Sequence, residues 1–129
     1  MRLRIVVFVL LGLLAGCDTA RSSFGTRSDA EEIIRKGWLP ESMPESATNI
    51  WESHDLDLNI GHGEFRFSSS DAPKFKNELV PAEKPSSCWT PWEELKEGGR
   101  EWYRDGDFFL AVNWVDSDVK FWMCYRAGI

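Results

Sequence analysis

Between Glu101 and Tyr125 the chain alternates apolar residues with a period of two, and no other pattern in it restricts the fold as tightly. Phe108, Leu110, Val112 and Trp114 fall on one face of an extended segment, and Val119, Phe121, Met123 and Tyr125 form the matching set. Phe109, Ala111, Trp122 and Cys124 fall on the other face. Asp105-Gly106 is a short-hairpin signal that joins 101–104 to 107–115, and Asp116-Ser117-Asp118 turns the chain into 119–125. The pattern predicts a three-stranded antiparallel meander whose two faces are both apolar enough to need covering. Short helices cover one face in this reading, and the loop that carries Cys88 covers the other.

Upstream, residues 48–55 and 63–69 read as a hairpin with Phe65 and Phe67 on one face. Ser28 and Glu31 fit a capping box for a helix over 29–36, with Ile33 and Ile34 on one side and Gly37 as its stop. Pro40 and Pro44 keep the following segment from being helical, so 37–44 is expected to wrap as extended chain. Ser70-Asp71-Ala72-Pro73 starts a second helix that turns Phe75, Leu79 and Val80 to the core. A long connection over 81–99 carries a helical turn at 91–97. The expected fold class is α+β: a hairpin, a helix, then the C-terminal three-stranded antiparallel meander, with one or two short helices, in a single domain over 28–129.

Residues 1–16 stand apart from this domain. Arg2 and Arg4 precede an apolar run over 5–14. Ten helical residues span about 15 Å, half of a hydrocarbon core of about 30 Å, so the run does not cross a membrane and reads as a secretory signal. It ends in Leu14-Ala15-Gly16-Cys17, which resembles the lipobox of bacterial lipoprotein precursors. The resemblance implies that Cys17 receives a diacylglyceryl group and becomes the new N-terminus, so that the protein is lipid-anchored in the cell membrane on its periplasmic side. More than one acyl chain makes such an anchor effectively permanent. Asp18 resembles the signal that keeps lipoproteins of enteric bacteria on the inner membrane. The polar stretch 17–27 lacks periodicity and reads as a flexible tether.

With Cys17 acylated, Cys88 and Cys124 are the remaining thiols, in a compartment where disulfides persist. Their bridge would close a loop of about 37 residues, worth roughly 3–4 kcal/mol on the chain-entropy model.

Without Arg2 and Arg4 the chain holds 13 basic against 21 acidic residues, a formal charge of −8. Such a surface repels phosphate backbones, so no nucleic-acid partner is expected. The one dense polar cluster runs from His54 to Glu64. Asp55, Asp57 and Asn59 resemble the opening of a calcium loop, but Ile60 and Arg66 stand where its glycine and glutamate belong. His54 and His62, with Asp57 or Glu64, are weak candidates for zinc if the hairpin brings them together. Asp, Asn and Gly are the usual residues of a hairpin tip, and that is the expected role of this cluster. No nucleophile elbow, His-Glu-x-x-His pair or phosphate-binding loop is present, so neither enzyme activity nor a cofactor is expected.

Seven tryptophans are many for a short chain. Trp38, Trp89 and Trp92 stand in loop-like segments where they could make an aromatic platform for a sugar or a partner's side chain, but large rings chiefly fill and cover a small core. If the chain has a binding surface, Cys88-Trp89-Thr90-Pro91-Trp92 is the candidate, since a disulfide would hold Trp89 and Trp92 rigid. The pattern Gly37-Trp38-Leu39-Pro40, Pro44, Ala47, Ile50, Asp55-Leu56-Asp57 resembles small uncharacterised envelope proteins of bacteria and implies no activity. The functional expectation is a lipid-anchored binding or structural module that engages the membrane and an envelope protein. An inhibitor or immunity protein against a toxin or hydrolase is the alternative, and an enzyme using the His54–His62 region is a third.

Overall fold

A computed structural model describes residues 19–85 and 99–123. Its elements, in chain order, are β1 (Thr19–Thr26), α1 (Glu31–Arg35), β2 (Thr48–Asp55), β3 (Ile60–Arg66), a 3-10 turn (Ser69–Asp71), α2 (Ala72–Glu78), β4 (Val80–Pro81), β5 (Glu101–Asp105), β6 (Phe108–Asn113) and β7 (Asp118–Met123). All seven strands belong to one antiparallel sheet in the order β1-β2-β3-β7-β6-β5-β4. Among the described residues no helix is long and apolar enough to cross a membrane.

This is a mainly-β fold, which corrects the α+β expectation of a hairpin set apart from a three-stranded meander. The two units are fused because β3 pairs with β7, setting Phe65 opposite Val119 and Gly63 opposite Phe121. An apolar strand with an unpaired edge is a liability, and fusion removes two such edges at once. The helices shrink accordingly to five and seven residues. α1 starts without a side-chain cap, so the Ser28–Glu31 capping box does not form.

The segment 17–27 is also corrected. Over Thr19–Thr26 it is strand β1, registered on β2 from Thr19 opposite Asp55 to Thr26 opposite Thr48. Its polar sequence hid it. An edge strand is held by backbone hydrogen bonds and needs little burial, and from β1 only Phe24 packs against the core.

The meander itself follows the alternation. Phe108, Leu110 and Val112 lie opposite Met123, Phe121 and Val119 on the core face. There they meet Ile34 of α1, Leu39 and Met43 of the connection, and Phe75 and Leu79 around α2. Val80, expected in the core, is exposed because the chain has already entered edge strand β4. On the opposite face Ala111 and Trp122 are buried as well, with Trp102 packed 5.6 Å from Trp122. Arg100 seals one side of that face through an ion pair with Asp118 at 2.9 Å and a hydrogen bond to the Ala111 carbonyl at 3.1 Å.

Candidate functional site

Strand β2 carries the least expected residues of the core. Ile50, Glu52 and His54 all point to the core face, and Glu52 is 1% and His54 8% exposed. Nδ1 of His54 lies 2.7 Å from Oε2 of Glu52; with the carboxylate ionised, the Nδ1–H donates to it. The imidazole is stacked on Trp38, with centroids 3.9 Å apart and the planes within 10°. Glu52 Oε1 has no hydrogen-bond partner among the described residues.

Room for this group comes from β3. Gly63 stands between Glu52 and Phe121, and a Cβ there would lie 2.1 Å from the Trp51 carbonyl oxygen and 2.6 Å from the Phe121 ring. Gly61 stands opposite His54 beneath the Trp38 ring, where a Cβ would meet the Ser53 carbonyl oxygen at 3.3 Å. The alternation of glycines in β3 thus mirrors the alternation of large side chains in β2 and β7.

At the end of the sheet where β1 begins, a hollow of about 610 Å³ opens, bordered by Thr19, Ser53, Leu58, Ile60, His62 and Trp122. His54 borders it too. The histidines nevertheless project from opposite faces of the sheet, since His62 pairs with Ser53 while His54 pairs with Gly61. His62 and Trp51 meet edge to face with ring centroids 5.4 Å apart, and the Arg21 guanidinium lies over the Trp51 ring at 4.7 Å. Among the described residues no group of three or more His, Cys, Asp or Glu could hold a metal ion.

The β2–β3 connection closes this end. Oδ1 of Asp55 accepts the backbone N–H groups of Asp57 and Leu58 at 2.9 and 3.0 Å, and Asn59 completes the reversal at φ 50°. The hairpin-tip expectation therefore holds for Asp55 to Asn59, while His54 is a core residue that it misplaced. The tip leaves Leu56 61% and Leu58 60% exposed.

A second polar cluster lies on β5. Glu101 accepts hydrogen bonds from the Tyr103 hydroxyl and, at 3.1 Å, from the Trp114 indole N–H, with the Lys76 ammonium 3.6 Å away. The Tyr103 hydrogen bond above all, then that of Trp114, holds the exposed Glu101 carboxyl below its ordinary 4.5. Burial, reinforced by the carboxylate, pushes the Tyr103 hydroxyl above 10.0.

Of the other sequence-derived candidates, Cys17, Cys88, Trp89, Trp92 and Cys124 lie outside the described residues. Glu52 was not among the candidates, and Trp38, one of the three tryptophans of the possible aromatic platform, is stacked on His54 instead. The available signal was a charged residue spaced by two from Ile50 on an apolar strand face, facing a strand with glycines spaced by two.

No curated protein and no solved structure matches the chain. Residues 18–66 match the family model of the YbbD head domain, a span that takes in β1, α1, β2 and β3 and with them Trp38, Glu52, His54 and both glycines.

Proposed function

We propose that the chain is a lipoprotein of the bacterial envelope, anchored through Cys17, whose sheet domain is a binding module for an envelope protein. The observation that carries the binding role is the hollow beside Trp122 and His62. It combines apolar walls with a few polar groups, Ser53 and His62 among them, which is the usual make-up of a recognition site. The match to a head domain over 18–66 supports the same reading, since this half of the sheet supplies most of the residues that border the hollow. The lipobox and its apolar leader support the anchor.

A photo-crosslinking amino acid at Ser53, in the acylated full-length protein in living cells, tests the binding role. The same probe at Val115, 93% exposed at the far end of the sheet, is the control. A discrete protein adduct from Ser53 alone is expected. No adduct, or the same pattern from both positions, would overturn the reading. For the anchor, Cys17→Ser should abolish incorporation of a clickable fatty acid, and equal label in both proteins would refute it.

A further inference from the structure

The register of β1 fixes which end of the sheet meets the anchor. Thr19 pairs with Asp55, the last residue of β2, so the β2–β3 tip lies beside the start of β1. Cys17 precedes Thr19 by two residues, and two residues reach at most about 7 Å. An acyl chain on Cys17 therefore holds this tip at the membrane surface, with no tether to lift it away.

We infer that the tip Leu56-Asp57-Leu58-Asn59 is a membrane-contacting turn, seated in the leaflet that carries the chain's own lipid. This rests on the lipoprotein reading of Cys17 and goes beyond it by giving the domain a fixed orientation. Leu56 and Leu58 are two of the four large apolar side chains exposed among the described residues, and both stand here. Their exposure follows from a turn that is locked by Asp55, which accepts the amides of Asp57 and Leu58. Apolar side chains at such a position bury to about 5–10 Å, at the boundary of headgroups and acyl chains. The carboxylates at the same sheet end, Asp55 and Asp57 here and Asp105 and Asp107 at the β5–β6 turn, disfavour an anionic surface, so the leaflet it suits is zwitterionic.

The opposite end supplies an internal control. Val115 lies in the β6–β7 turn beside Asn113 and Asp118, and Asp118 pairs with Arg66, at the far end of β3 from the tip.

The experiment uses the acylated full-length protein reconstituted in phosphatidylcholine–phosphatidylethanolamine vesicles. A genetically encoded, environment-sensitive fluorescent amino acid is placed at Leu58, at Leu56 or at Val115, and the acyl mass on Cys17 is measured on the same samples. Blue-shifted emission and lost iodide quenching at Leu58 and Leu56, with Val115 unchanged from buffer, is the expected result. Acylated protein whose Leu58 and Leu56 probes behave like that at Val115 overturns the membrane-contacting turn and leaves the anchor standing. Protein without acyl mass on Cys17 overturns both.

Discussion

Replacing His54 by Ala strips the buried Glu52 carboxylate of its one partner among the described residues. Removing the partner of a buried polar group in this way costs about 1–3 kcal/mol, because the group is left unsatisfied inside. His62→Ala, on the other face, should cost less, since it removes a half-buried ring that meets Trp51 and leaves the Glu52–His54 pair intact. Denaturant unfolding followed by circular dichroism should show that difference, and equal costs would count against a stabilising Glu52–His54 pair. Gly63→Ala should be costlier than its size suggests, about 1–3 kcal/mol or more, since backbone and the Phe121 ring must move to admit the methyl. The reason this site is easily missed in the sequence is local. Ile50 and Trp51 are both large and apolar, so alternation alone does not choose which faces inward. The choice is made by an irregularity at Asn49, φ 49°, where the pairing of β2 with β3 shifts register.

Strand β5, α2 and the turn after β6 are tied together by Glu101, Tyr103, Lys76 and Trp114. Because Glu101 is held below 4.5 in the fold, its contribution is present above that pH and is lost as pH falls through the folded value. Because Tyr103 is raised above 10.0, its contribution is present below that pH and is lost as pH rises through the folded value. Thermal melts across pH should therefore lose part of their acid limb in Glu101→Gln and part of their alkaline limb in Tyr103→Phe. Melts that change in neither limb would show the cluster to be inert. Among the elements, β5 to β7 were readable because apolar side chains alternate against polar turns. β1 was not readable, since hydrogen bonding to β2 holds it in place with little help from side-chain burial. The seven-stranded sheet needed the β3–β7 pairing, and period-two patterns say which face a strand buries but not which strand it joins.

For the whole molecule, the proposed bridge between Cys88 and Cys124 would tie the long connection to the end of β7. Mass spectrometry of periplasm-purified protein should find it lighter by two hydrogens and resistant to alkylation until reduced. Two thiols alkylated in the native protein would remove the bridge. The topology also has a kinetic side. β7 is the last strand described in the chain, yet it sits at the middle of the sheet, between β3 and β6. Until it arrives, both neighbours keep open edges and the core lacks Val119, Phe121 and Met123. Folding must wait for contacts distant in sequence, which is the slow regime of assembly. In a chain that crosses a membrane N-terminus first, as the proposed export requires, the sheet cannot close while its central strand is still behind. The polypeptide then stays threadable for its whole passage and becomes rigid only on the far side.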